Sequence, residues 1–294
     1  MSSITTSATL STPATSRYIG RSLGQRSRRL ILYLVLFALM MLFLLPVYLV
    51  VITSLKTLPE LDLLNVWRWP QALNLSSFSD ALGQLAPFLL NSLILTVPAT
   101  VISAMLGSIN GYVLSKWHFR GANIIFPLML FGMFIPYQSI LIPLFQTLNS
   151  LGLFGGLGGL TLTHIVYGLP ITTLIFRNYY AEVPTEMIEA GQIDGADFFG
   201  IYRQILFPLS IPGFVVVIIW QFTQIWNEYL FAVTLTKNEW WPITVELTQL
   251  GTGQYVNYPV QMAGAFLTAL PTLIVYIFLG RYFIRGLLAG SIKG

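Results

Sequence analysis

The sequence predicts an all-α integral membrane protein with six transmembrane helices. The chain is 55% hydrophobic and only 9% charged, whereas soluble domains carry roughly 25% charged residues. Residues 30–55, 81–115, 121–176, 204–236 apart from Glu228, and 247–280 are free of charge. A helix crossing a hydrocarbon core of roughly 30 Å needs about 20 apolar residues, so each run holds at least one span. Barrel strands would be short and alternate in polarity, whereas these runs are continuously apolar.

The first span is placed at 30–54, behind a leader, 1–29, expected to be a disordered basic segment on the cytoplasmic side. Its first 16 residues include ten Ser or Thr and are followed by five arginines, a composition that an organellar transit peptide shares. The second span is placed at 88–114. The long third run holds two spans, 123–147 and 160–178, with the glycine-rich "LGLFGGLGGL" (151–160) between them. The fifth and sixth spans fall at 210–235 and 262–284. Pro46, Pro98, Pro127, Pro136, Pro170 and Pro271 lie inside spans and bend helices where neighbours re-satisfy the backbone.

Lys and Arg are retained preferentially on the cytoplasmic side. With both termini inside, Lys56, Arg68 and Lys237 lie outside and the other twelve basic residues inside. Trp67, Trp69, Trp240 and Trp241 then sit near the outer interface, as amphipathic rings prefer. This topology accounts for the net charge of +4 without a nucleic-acid partner. The absence of cysteine excludes a disulfide framework and thiolate metal sites.

Residues 179–209 form the sizeable inner loop, and 189–213 read "EAGQIDGADFFGIYRQILFPLSIPG". Pro184 opens a helix bearing Glu186, Met187, Glu189 and Ala190, because proline suits a first turn and acids suit the positive helix end. Asp194-Gly195 reads as a turn, with Asp194 the N-cap of a second helix. Phe198, Ile201, Tyr202, Ile205 and Leu206 make one apolar stripe, and Pro208 and Pro212 redirect the chain into the fifth span. By spacing alone the loop is either a docking element or an elbow with solvated charges.

This segment resembles the EAA loop of the membrane subunits of binding-protein-dependent ABC importers. Glu189, Ala190, Asp194, Gly195, Ala196 and Pro208 match, and Gly191 stands where the pattern has its second alanine. "NSLILTV" (91–97), "IPLFQTLNSLGL" (142–153), "WNEYLFA" (226–232) and "ALPTLIVYIFLGRYFIRGLLAGSIKG" (269–294) are similar to the maltose-type, carbohydrate-uptake branch, so the likeness covers 30–294.

The resemblance implies a type I ABC importer permease (MetI-like) fold over 30–294, with a cytoplasmic coupling loop at 182–209. Glu189 would accept a charge-assisted hydrogen bond from an ATPase subunit. Glu186, Ala190, Gly191, Asp194, Gly195, Ala196 and Phe198 would complete that docking element, and the tail 289–294 would reach between two ATPases. The implied partners are a homologous second permease, two cytoplasmic ATPase subunits, an extracytoplasmic solute-binding protein and membrane lipid. ATP and Mg would be held by the ATPases, with no cofactor in this chain. The implied place is the cytoplasmic (inner) membrane of a bacterium, and the implied solute is a sugar, oligosaccharide or sugar-like polyol.

The residues agree with that division of labour. Each lysine is preceded by Leu, Ser, Thr or Ile, so no Gly-Lys-Ser/Thr phosphate loop exists. His118 and His164 lie in different contexts, so neither a catalytic constellation nor a metal site is expected. Polar side chains inside spans face a bundle interior or cavity. Gln221, Gln224 and Glu228 recur on one face of the fifth span, with Trp220 and Asn227 beside them, and read as a solute lining or as interhelical glue. Glu228, nearer the outer end, reads first as a gate-packing residue. Tyr137, Gln138 and His164 are further lining candidates, although a lone span histidine is usually a satisfied packing residue. In the outer loop 237–261, Gln254, Tyr255, Asn257 and Tyr258 have the polar-aromatic character of a binding-protein contact; a flexible linker is the alternative.

Overall fold

In the computed structural model the described residues are 23–289, apart from 63, 118, 253 and 254. They separate into a unit ending at Tyr48 and a unit from Leu49 onward. The first is made of the helix α1, Leu23–Ser54, as far as Tyr48. Among the described residues four helices are long and apolar enough to cross a membrane, Arg28–Ser54 of α1 being one of them, and two sharply bent helix pairs raise the number of spans to as many as six. No β-strand occurs among the described residues.

α2, Ser76–Lys116, runs for 41 residues, about 60 Å at 1.5 Å per residue. It begins twelve residues ahead of the span placed at 88. Residues 76–87 carry Asp80 and Gln84 and extend the helix beyond its most apolar part. α5, Leu157–Ala181, lies tightly against α2 because small residues recur every fourth position at Ser103, Gly107 and Gly111. A Cβ on Gly111 would stand 2.7 Å from Phe176 Cβ, and Thr172 Oγ1 donates to the Ser103 carbonyl at 3.1 Å. Small residues let backbones approach where lipid removes the usual hydrophobic drive.

The third span is broken. α3, Ala122–Phe131, and a 3₁₀ turn, Gly132–Phe134, meet α4, Tyr137–Ser150, at 104°. Pro136 lacks an amide proton and pushes Ile135 into an extended conformation (φ −74°, ψ 119°), so the helical ladder stops there.

After α5 come α6, Thr185–Ile193, α7, Phe198–Ile201, a π-helical turn, Tyr202–Leu206, and α8, Phe207–Leu209. The chain then bends by 76° into α9, Ile211–Trp226. The fifth span does not continue to 235. It stops at Trp226 and restarts as α10, Leu230–Leu235, because the Glu228 carboxylate accepts the Phe231 and Ala232 amide protons at 2.8 and 3.2 Å. A side chain that satisfies the free N–H groups of a new first turn favours a fresh start over continuation. α11, Ile243–Leu250, and α12, Tyr258–Ala289, complete the chain.

Four apolar clusters hold the second unit together, two of them larger than the others. Of the larger two, one joins Leu95, Leu148, Leu160, Ile225, Phe231 and Val245; the other joins Tyr112, Phe176, Ile188, Ile201, Leu206 and Phe214. Trp226 Nε1 ties α9 to α12 by donating to the Thr268 carbonyl at 3.0 Å. Asn91 Nδ2 fastens α2 to the connection between α10 and α11 through the Glu239 and Trp241 carbonyls, each at 3.1 Å.

Candidate functional site: an acidic elbow and a polar cavity

The elbow forms as an exposed acidic face over a buried apolar one. Pro184 is the N-cap of α6, so the helix proper starts one residue later than the sequence suggests. Glu186, Glu189 and Ala190 are exposed, whereas Ile188 and Gly191 are buried. Asp194 is not the N-cap of the second helix; it closes α6, and Gly195 takes a left-handed turn at φ +84°. That turn uses up the chain at 194–195, and the cap moves to Asp197, whose carboxylate accepts the Gly200 amide proton at 2.7 Å. Asp194 and Gly195 stay exposed, while Ala196 and Phe198 pack on the core below.

The apolar stripe lies where the spacing put it. Ile201, Tyr202 and Leu206 are buried, and Phe198 and Ile205 pack on the same cluster. The Phe198 ring stacks on Tyr112 of α2 at 4.7 Å. Beneath it, the hydroxyls of Ser108, Tyr180, Tyr202 and Ser210 form a buried chain of hydrogen bonds of 2.6 to 3.0 Å. Sequence reasoning placed Met187 on the first elbow helix without a role and passed over Ile193 and Phe199; all three are exposed on the elbow, Ile193 by 86% and Phe199 by 66%. Their signal was present, since each is a large apolar residue off the buried stripe. Beside them a groove of about 240 Å³ is lined by Lys116, Trp117, Thr185, Ile188, Glu189 and Gln192.

The second feature is a cavity of about 340 Å³ between α5 and α9, within the range of roughly 300–1,000 Å³ typical of small-ligand pockets. Tyr137, His164, Trp220, Gln221, Gln224, Asn227 and Glu228 all line it. Gln138 does not; it is exposed on α4. Met133, Tyr167, Gly168, Ile171, Ile225 and Phe231 were missed as lining residues; all but Tyr167 are apolar or glycine positions that carry no polar signature. Tyr137 and Tyr167 stand 5.2 and 5.3 Å from the Phe231 ring, forming an aromatic wall.

Gln221 both lines the cavity and packs helices: a Cβ on Gly168 would overlap its amide. Glu228 likewise faces the cavity while capping α10. His164, a lining candidate from the sequence, lines the cavity and is not a satisfied packing residue. It is buried, its Nε2 has no hydrogen-bond partner, and the Glu228 carboxylate stands 3.8 Å away. Among the lining residues there is no Lys or Arg, and among the described residues no cluster of three or more His, Asp or Glu is arranged to hold a metal.

Between α11 and α12, Tyr255 and Asn257 line a depression of about 590 Å³ with Asp80, Gln84, Gln249 and Gln261. Tyr258 is exposed at the start of α12. Gln254, His118, residues 1–22 of the leader and residues 290–294 lie outside the described residues, and the leader's end, 23–29, is not disordered but already helical as the start of α1.

Comparison with known proteins places the same features in context. Residues 99–288 match the family described as the binding-protein-dependent transport system inner membrane component. The chain is 54% identical over 168 residues to a probable ABC transporter permease of Pyrococcus horikoshii, a match spanning 57% of this chain and 61% of that relative. It is 37% identical over 269 residues to the xylose/arabinose import permease protein XacI of Haloferax volcanii, covering 83% of this chain and 87% of that one. Its fold is that of a chain in the crystal structure of a bacterial ABC transporter involved in import of the acidic polysaccharide alginate. That match has a TM-score of 0.78 and 22% identity, and covers 92% of this chain and 100% of the other. Its matched segment, its relatives and its helical fold of up to six spans together make this chain a member of the binding-protein-dependent transport system inner membrane component family, a multi-pass protein of the inner membrane.

Proposed function

We propose that this chain is the non-catalytic permease subunit of an ATP-driven importer for a sugar, oligosaccharide or sugar-like polyol. It pairs with a homologous permease, rests on two ATPase subunits that hold ATP and Mg, and receives solute from an extracytoplasmic binding protein. Both termini are cytoplasmic. Nucleotide-driven closure of the ATPases carries the elbow with it and turns the pathway from inward- to outward-facing, since a ligand shifts an equilibrium only by favouring one state.

The observation that carries this reading is the two-faced elbow. Its stripe is buried on α2 and α5 while Glu186, Glu189, Ile193 and Phe199 point away from the bundle's core. An exposed pair of acids flanked by large apolar residues suits a basic-rimmed apolar cleft on a separate subunit. The aromatic and amide lining of the cavity supports a hydroxylated solute, as does the relative that bears the name of a xylose/arabinose import permease. Tyr255, Asn257 and Tyr258, with Gln254, are assigned to the binding-protein contact.

The test is co-purification from the native membrane. A second permease and ATPases should accompany this chain, and Glu189→Arg should remove the ATPases while leaving membrane insertion intact. Transport by the chain alone would replace this reading with that of a secondary transporter or channel.

A further inference from the structure

The cavity between α5 and α9 contains a polar atom that the fold leaves unanswered. His164 is 6% exposed and its Nε2 has no partner in the protein. A Glu228 carboxylate oxygen is 3.8 Å away, beyond hydrogen-bonding range. The Glu228 carboxylate accepts the Phe231 and Ala232 amide protons and interacts with the Leu230 amide as well. An ionised carboxylate offers about four acceptor sites, so Glu228 keeps capacity on the side that lines the cavity.

Resting on the sugar-importer reading, we propose that His164 and Glu228 form a hydroxyl-reading subsite, through which this chain itself contacts a neutral polyhydroxylated solute. One solute hydroxyl enters the gap, accepts a hydrogen bond from Nε2–H and donates its own proton to the Glu228 carboxylate. The 3.8 Å separation is spanned by one oxygen making hydrogen bonds of about 2.8 Å to both groups. A hydroxyl is both donor and acceptor and so answers both; a carbonyl answers only His164 and an ammonium only Glu228.

The surroundings match a sugar ring. The Phe231 ring lies 6.1 Å from the imidazole and is flanked by Tyr137 and Tyr167, giving an apolar face beside the polar pair. Charge sets the class of solute. No Lys or Arg lines the cavity, and Glu228 is its one carboxylate. A uronate would bring a like charge toward Glu228 with no cation from this chain to offset it, which is unfavourable at close range.

The test uses the whole transporter, purified through this chain and placed in proteoliposomes. ATP-driven uptake is measured with labelled xylose, arabinose, maltose, trehalose and digalacturonate. His164→Phe keeps a planar ring and removes the N–H; His164→Gln restores an N–H at similar reach. The expected result is a loss of neutral-probe uptake of about tenfold in His164→Phe, the worth of one hydrogen bond to the solute. Uptake returns to within about threefold in His164→Gln, the partner subunits co-purify throughout, and digalacturonate is refused.

Should His164→Phe fail to assemble, Glu228→Gln is the second variant and carries the same expected loss. It keeps an oxygen for the α10 cap and loses the charged acceptor. Parental uptake by these variants, or digalacturonate uptake matching the neutral probes, overturns this inference alone. Failure of the parent to take up any probe overturns the sugar reading and this inference together.

Discussion

Tyr202, in the π-helical turn of the elbow, donates its hydroxyl proton to Ser108 Oγ on α2 at 3.0 Å. Ser108 also lies 2.6 Å from the Tyr180 hydroxyl, which donates to Ser210 Oγ at 2.9 Å. One buried chain of hydroxyls thus joins α2, α5, the elbow and the entry to α9. Single-turn π segments recur at functional sites, and here the turn places Tyr202 within reach of Ser108.

Tyr202→Phe keeps the ring stacked over Tyr112 and removes one hydrogen bond, a cost of about 1 kcal/mol. The assembly is expected to survive with its linkage loosened, so solute moved per ATP hydrolysed should fall. The ratio of uptake to ATP hydrolysis in proteoliposomes measures this. An unchanged ratio would leave the hydroxyl chain a packing feature only.

At Gly107, α2 lies directly against α5. A Cβ there would overlap Thr172, including its backbone carbonyl carbon at 2.9 Å, and backbone cannot step aside as a side chain can. Gly107→Val is therefore expected to destabilise the protein by at least about 1–3 kcal/mol, seen as a lower unfolding temperature in detergent. Gly83 on the same helix has nothing within 4 Å of its Cβ position. Gly83→Ala should raise stability by about 0.5–1 kcal/mol through helix propensity.

Gly191 sits where the EAA pattern has alanine, and its Cβ position lies 2.8 Å from the terminal Ile205 methyl. That methyl swings away by a rotamer change. Gly191→Ala should be close to neutral, its helix propensity gain of about 1 kcal/mol offsetting the displacement. Gly191→Leu overfills the space between α6 and the π-helical turn, at a cost of about 1–3 kcal/mol. Measuring ATPase recovered per permease in the two variants checks the contrast; equal recovery would count against packing control of the elbow.

Lys56, just beyond α1, is 2% exposed, and its ammonium donates to the Asn65 and Val66 carbonyls at 2.8 and 3.0 Å. Burial pushes its pKa below the ordinary lysine value, with nearby Glu60 pulling the other way. Lys56→Met keeps the apolar stem and leaves two carbonyls unanswered, a loss of about 1–3 kcal/mol. Limited proteolysis should then cut the segment between α1 and α2 sooner than in the parent. Equal cleavage rates would show that the ammonium does not hold this loop.

The membrane-spanning segments and the place of the elbow were legible in the sequence because hydropathy and charge act residue by residue. The stripe from Phe198 to Leu206 was likewise legible, since its period alone selects the buried face. Gln221, Gln224 and Glu228 were legible as one polar face of the fifth span, and the structure puts them around one cavity with Tyr137 and His164. Two local choices went the other way through competition over short distances. Gly195 ended α6 before Asp194 could cap a second helix, and Glu228 capped α10 where an apolar run suggested continuity.

By itself, then, the sequence determined that this chain crosses a membrane repeatedly, that its cations gather at alternate connections, and that an acidic elbow interrupts the apolar runs. Only the tertiary structure decided that Gly107 meets Thr172, that Tyr202 reaches Ser108, and that His164 faces Glu228 across 3.8 Å. Transfer free energy is summed along the chain and can be read locally. The meeting of residues 64 positions apart depends on how helices pack, which no local pattern encodes.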